Sequence, residues 1–469
     1  MRVLSVCLLR NSPAQRSLAR RIASSFLMIC RAAPALCGLV TASLCPAQNT
    51  LPLSLKRAVE IALTPEGNPR VALAEESIKQ AQGRVAEAKS AFLPTLEASV
   101  QDRNQTTNLH TFGLNFPTIP GFSFPSIAGP FSVFDARATA QQSVLDFSNI
   151  RKYRASRISL GAARSDLDAT RNQVSDQVAK AYLACLRADA ALETAHADVE
   201  LSEALLKLAR EQQTAGTGTG IEVTRAQVQL ANGRQRLIVV ENERRRTALQ
   251  LLKTIGLRLD LQVQFTDKLT YQPVDVAGLE ASLEKARKER AELKAQQQRE
   301  ETARLNYGSV KAERLPSVGA FADYGSIGNE IVGAQPTRTY GISLKVPVFY
   351  GGRRDARREE SLSQYRQERV RTRDLQDQIE LEVRLALNSL RAAASEVETA
   401  REGLALAGNE VAQAQRRYQA GVTNSLEVTD AQTRLDRARE NQIAALYDYN
   451  LARVDLAAAT GTIGEYVNQ

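Results

Sequence analysis

Two stretches of this chain repeat apolar residues at helical spacing for far longer than an ordinary globular helix. From about Asn149 to Thr214, Leu160, Leu167, Val174, Ala181 and Ala188 recur every seven residues, with Val178, Cys185 and Leu192 as the companion row. This predicts a coiled-coil seam in which small residues let helix axes approach closely, and it makes Cys185 a core residue. A second long helical pattern runs from about Gly352 to Ala420. Shorter helices are predicted before the long ones, about Pro69 to Phe92 and Leu283 to Arg314, and after them, ending near Gly256 and Gly461. The two short helices of each half sum to roughly 60 residues, so they match one long helix at about 95 Å. Each half can therefore form a long helix beside a stacked pair of short ones.

Between the leading helix and the long helix of each half, the period changes from helical to two. Leu96, Ala98 and Val100 oppose Thr95, Glu97 and Ser99, and Phe134, Ala136, Ala138 and Ala140 oppose Asp135, Arg137, Thr139 and Gln141. The last strand is the cleanest: Tyr340, Ile342, Leu344, Val346 and Val348 alternate with Thr339, Gly341, Ser343 and Lys345. Such alternation fits a half-buried soluble sheet, or a wall with lipid outside and water inside. Two Pro/Gly-rich or polar segments, 108–132 and 325–337, read as exposed loops between the strands. Four strands cannot close a barrel, and open edges are excluded from lipid. Three copies supply twelve strands and twelve helical columns, which favours a trimer carrying a barrel on a helical tube.

The halves are copies. Ala215 to Leu230 (AGTGTGIEVTRAQVQL) and Ala420 to Leu435 (AGVTNSLEVTDAQTRL) share eight of sixteen residues at an offset of 205. Leu93 to Gln101 aligns with Leu315 to Asp323, and Ser143 to Lys152 with Lys345 to Arg354. Residues 48–256 form the first repeat, 257–282 a linker with short strand-like patches, and 283–469 the second repeat.

The first 47 residues differ in kind: six arginines and no acid, then an apolar run from Ala32 to Cys45 and Pro46-Ala47. This predicts a secretory signal over 1–47, with a mature chain starting near Gln48 and Met28 as an alternative start. The formal charge of +9 less those six arginines is +3, too small to argue for nucleic acid. Four of five cysteines leave with the signal, so no internal disulfide is expected.

In its duplicated order the chain resembles the TolC-type outer-membrane channel family, over nearly all of the mature sequence. Leu53 to Glu75 (LSLKRAVEIALTPEGNPRVALAE) looks like the family's opening helix. Val346 to Ala356 (VPVFYGGRRDA) looks like its strand-to-helix exit, and Arg417 to Leu435 like its tip hairpin. The first half departs at its own exit, where Phe147 to Arg151 (FSNIR) replaces Gly-Gly. The resemblance implies a mixed α/β membrane protein, a trimeric 12-stranded β-barrel continuing into a coiled-coil tube. It implies a passive conduit anchored in outer-membrane lipid and projecting into the periplasm. Its partners would be a periplasmic adaptor and an inner-membrane pump, and its cargo small molecules, metals or, in a type I secretion tunnel, proteins.

On this reading the repeated motif is the turn at the far end of the tube. Gly216 and Gly421 can end the long helices in a left-handed conformation. Thr219 and Glu222 form a capping box, and Asn424 and Glu427 a looser one. By resemblance, Glu222 faces Tyr418 and Thr423 across the two hairpins and holds the tip shut, while Glu427 and Asp430 line a cation-selective constriction. The plainer reading of the three acids is dipole-favoured residues of a helix start. GTGTG (Gly216 to Gly220) follows a helix, not a strand, so it is no phosphate loop. His110 and His196 stand apart, and no catalytic, cofactor or metal constellation is visible. A soluble coiled-coil scaffold has no use for the strand alternation, and a periplasmic adaptor lacks two strands in each half.

Overall fold

The computed structural model describes residues 50–468 except 65–66, 114–120, 122–124 and 274–277. The expected signal over 1–47 and the start near Gln48 lie outside the described residues. Short elements open the chain: β1 (Thr50–Leu53), α1 (Leu55–Ala62) and α2 (Pro69–Ser90). The first strand pair is β2 (Thr95–Asn108) and β3 (Ile127–Leu145), followed by α3 (Phe147–Thr214) and α4 (Gly220–Ile255). After β4 (Gln262–Phe265) the order recurs with α5 (Leu279–Glu289), α6 (Ala291–Ala312), β5 (Ser317–Gly328) and β6 (Gln335–Lys345). It closes with α7 (Arg353–Gln419), α8 (Ser425–Thr460) and α9 (Ile463–Val467).

Helices α3 and α7 have 68 and 67 residues, about 100 Å each. Helices α2 and α4 both pack along α3, and α6 and α8 both pack along α7; α3 also meets α6 and α8. The long-and-stacked-short arrangement of the two repeats is thus present, joined face to face through α3.

The strand segments of both halves make one antiparallel sheet in the order β2-β3-β5-β6. Register explains why it has two different faces. Leu96 pairs with Ala140, Ala140 with Ala322 and Ala322 with Tyr340, so all four lie on one face, as do Val318 and Leu344. Leu96, Tyr340 and Ile342 are each about four-fifths exposed. The opposite face carries Glu97, Thr139, Asp323 and Thr339 in one cross-strand row. There Arg137 bridges Asp135 at 2.8 Å and Asp323 at 3.3 Å. Among the described residues, β2 and β6 each have one unpaired edge.

Three expectations need correction. The leading helix of the second half is not continuous from Leu283 to Arg314: it breaks at Arg290, whose ψ of 111° is extended. Strand β6 ends at Lys345, so Val346 and Val348 continue the apolar row without sheet pairing. Part of each expected loop belongs to the sheet. Within 108–132, β3 begins at Ile127 and pairs with β2 from there. Within 325–337, β5 runs to Gly328 and β6 begins at Gln335, with Gly325 paired to Thr337 and Ile327 to Gln335.

Both helix breaks have the same tertiary cause. In the first half Asn68 caps α2 through the Arg70 N–H, and its amide donates to the Thr254 carbonyl at the end of α4 at 3.2 Å. In the second half the Arg290 guanidinium donates to the carbonyl of Ala459 at 3.2 Å, at the end of α8, while pairing with Glu382 at 2.7 Å. Each break supplies donors to helix-end carbonyls that have no partner within their own helix. Gly256, at φ +75°, is the point of closest approach: a Cβ there would lie 1.8 Å from the Gly67 carbonyl oxygen.

The main core gathers where β1, α1 and α2 meet α3, α4 and α9, around Leu53, Val71, Val178, Tyr182, Leu251 and Ile463. Strand β4 pairs in parallel with β1 beside it, and the Tyr182 hydroxyl donates to Asp267 at 2.9 Å. Cys185 is buried in this core, and desolvation pushes its thiol up to about 12, so it is packed rather than reactive.

Candidate functional site

The end of the helical region farthest along α3 and α7 is built from two turns of one design. At each, a residue after the helix takes a left-handed conformation, Gly216 at φ +76° and Gly421 at φ +69°. The Thr217 and Val422 N–H groups reach back to the Gln212 and Arg417 carbonyls, both at 3.0 Å. Gly216 and Gly421 do the same to Gln213 and Tyr418. These paired bonds satisfy helix-end carbonyls and require the positive φ that glycine adopts without strain.

The acids after the two turns are held differently. The Glu222 carboxylate accepts from the Thr219 N–H at 2.9 Å, which caps α4. In the second turn Asn424 caps α8 by accepting from the Leu426 N–H at 3.1 Å. Glu427 is thereby released for other contacts: it accepts from the Thr423 hydroxyl and pairs with Arg417 at 3.3 Å. Thr423 therefore serves Glu427 within its own hairpin and makes no bond to Glu222. Asp430 is exposed and Glu427 partly so. The first-half counterpart of Asp430 is Arg225, also exposed.

Between the hairpins lies a cavity of about 20 Å³ bordered by Glu222, Gln229, Tyr418, Ser425 and Gln432. It brings together Glu222 and Tyr418 from opposite repeats. Tyr418 is 5% exposed, and its hydroxyl has no hydrogen-bond partner; the Ser425 hydroxyl is likewise buried and unpartnered. Burial, and then the negative charge of Glu222, push the Tyr418 phenol above its usual value, so it stays a neutral donor beside a carboxylate.

A further inter-hairpin cluster escaped the sequence reading. Asp198 of α3 is 8% exposed and receives the Arg439 guanidinium of α8. Asp436 of α8 lies beside it, and Arg236 of α4 reaches Glu440 of α8. The signal was available: Ala195, Asp198, Ser202, Leu206 and Ala209 are successive buried positions of α3, so Asp198 is a charge placed in the seam.

Among the described residues no group of three or more His, Cys, Asp or Glu could hold a metal ion. No helix among them is long and apolar enough to cross a membrane. An exposed apolar sheet face on a duplicated helical body, ending in polar hairpin turns, defines the class of outer-membrane channels with a helical tube. The Outer membrane efflux protein family profile matches residues 61–257 and 282–462, one block in each repeat, and the chain belongs to that family.

The Pseudomonas putida pyoverdine export outer membrane protein OpmQ is 25% identical, over 83% of this chain and 82% of its own length. The outer membrane protein TolC of Vibrio cholerae is 24% identical over 68% of this chain and 76% of its own. Among solved structures, the Vibrio cholerae outer membrane protein VceC superposes with a TM-score of 0.72 at 19% identity. That match covers 87% of this chain and 96% of VceC. The protein is an outer-membrane channel of the efflux and secretion type.

Proposed function

We propose that three copies of this chain close a twelve-stranded barrel over a tube of twelve helical columns, and that the tube is gated at its hairpin tip. The observation that carries the reading is the four-stranded sheet with one apolar, exposed face and two unpaired edges. Backbone edges are not tolerated in lipid, and threefold closure removes them while keeping an even strand number. The 48–256 and 283–469 repeats then each supply one hairpin, giving six around the mouth. A periplasmic adaptor and an inner-membrane pump dock there, and cargo passes passively outward, as the efflux and export names of the relatives suggest.

At the mouth, Glu222 and Tyr418 act across the cavity between hairpins as the closing contact. Glu427, oriented by Thr423 and Arg417, and the exposed Asp430 supply carboxylates that select cations around the threefold axis. Gly216 and Gly421 form the tip turns. The test is a heat-modifiable trimer in an outer-membrane fraction together with conductance in a planar bilayer. Ile342→Lys or Leu344→Lys should impair membrane assembly, because a charge at the lipid face costs roughly 2–4 kcal/mol near the midplane. A variant that still assembled as wild type would place that face away from lipid and defeat the barrel reading.

A further inference from the structure

The apolar row of β6 does not stop where the strand does. Tyr340, Ile342 and Leu344 are exposed within the strand, and Val346 and Val348 continue the same spacing at 55% and 92% exposure. Phe349 is 83% exposed, and Tyr350 closes the run. Two residues with positive φ, Gly351 and Gly352, turn the chain into α7. The first two residues of α7 are Arg353 and Arg354, and both stack on Tyr350, with guanidinium carbons 5.7 Å and 4.1 Å from the ring centre.

Neither arginine makes an ion pair among the described residues. The nearby acids are already taken: Asp355 by Arg314, and Glu313 by Arg357 at 2.9 Å. Helix stability does not account for the pair, since cations in the first turn oppose the helix dipole. The two guanidiniums, reachable by solvent and without an acid of this chain, are free to take an anionic partner, and the exposed Val346, Val348 and Phe349 immediately precede them in the chain. Along the chain the order is aliphatic, aromatic, cationic. That is the order met on leaving a bilayer: hydrocarbon, interface, phosphate.

We infer that Tyr350, Arg353 and Arg354 form a headgroup site for an anionic phospholipid, at the level where the sheet passes into the helical tube. Two guanidiniums offer paired donors to one phosphate, and Tyr350 holds both where the apolar row ends. The first repeat carries a looser version after β3. Phe147 is 41% exposed there, and Lys152 and Arg154 are exposed beyond it. The site would lock the depth of the barrel against the tube. It rests on the reading that the apolar sheet face meets lipid.

The full-length protein, purified in detergent, would be titrated with dioleoylphosphatidylglycerol or dioleoylphosphatidylcholine and lipid retention read by native mass spectrometry. Wild type should retain the anionic lipid preferentially. Arg353→Gln with Arg354→Gln should bind it about 30-fold more weakly, the loss expected for two interfacial cations. Arg353→Lys with Arg354→Lys keeps the charge but loses the paired donors and the planar stack, so it should fall between wild type and the glutamine variant. Binding equal to wild type would show that charge alone holds the lipid and overturn the guanidinium site. Equal retention by the glutamine variant and wild type, or equal retention of the neutral lipid, would overturn the site. Displacement of the lipid by millimolar inorganic phosphate would assign the arginines to a soluble anion and also overturn it. The heat-modifiable oligomer is scored in parallel. If wild type forms none, the barrel reading fails and takes this inference with it; an assembled oligomer with unchanged lipid binding removes the inference alone.

Discussion

Asp198 of α3 and Asp436 of α8 come together where the two hairpins pack, two carboxyls from different repeats close enough for the charge of one to act on the other. Arg439 of α8 donates to Asp198, and Arg236 of α4 lies close enough to act on Asp436. One Asp198 oxygen has no donor, which a proton shared with Asp436 would supply. Burial first, then the charge of Asp198, holds the Asp436 carboxyl up at about 6, against an ordinary value of 3.8.

The sign of the resulting pH dependence follows from proton counting. Between about pH 4 and 6 the folded chain binds a proton that the unfolded chain has lost, so stability falls as pH rises through that window. Above it the cost of a charge that is partly buried and faces Asp198 is fully expressed. Discounted for the solvent that still reaches this carboxyl, it is on the order of 1 kcal/mol. Asp436→Asn should therefore raise the melting temperature at pH 7.5 and lose that advantage towards pH 4. Helical circular dichroism on heating measures it, and an equal gain at both pH values would assign the effect to packing.

Across the tip cavity, removing both closing groups should open the pore. Glu222→Ala with Tyr418→Phe should raise single-channel conductance in planar bilayers. Tyr418→Phe alone should cost less than about 1 kcal/mol of stability, because its hydroxyl has no partner to lose. Unchanged conductance in the double variant would leave Glu222 as a helix cap only.

The constriction acids have a separate readout. Glu427→Ala with Asp430→Ala should weaken cation selectivity and block by trivalent cations. Thr423→Ala frees Glu427 from one of its donors and should shift selectivity less than removal of the acid. Reversal potentials in a salt gradient decide; if both variants match wild type, the carboxylates do not face the pore.

Arg290→Ala should cost about 2–3 kcal/mol, since it strips donors from the Ala459 carbonyl and from Glu382 together. Glu382→Gln keeps an acceptor and should cost less. Denaturant titration of the detergent-solubilised protein compares them. A loss for Arg290→Ala no larger than for Glu382→Gln would show that the helix-end carbonyls find other donors.

Helix and strand periods, the duplication and the two glycine turns were legible from the chain alone, because each depends on neighbours a few residues apart. Helical patterning, with heptads visible in the first, placed α3 and α7 within a residue or two of their ends, and alternation placed both faces of the sheet. Gly216 and Gly421 could be read because a left-handed helix end is a local demand. Tertiary structure decided everything that depends on what lies opposite. No local signal marks Arg290 as a helix break; the carbonyls of α8 make it one. Glu222 and Glu427 occupy matching positions, yet Asn424 caps its own helix and leaves Glu427 to Thr423 and Arg417, while Glu222 caps α4. Asp198 and Asp436 are far apart in sequence and unremarkable singly. Only the packing of α3 against α8 brings the buried Asp198 and the half-buried Asp436 together, where little water is left to screen one charge from the other.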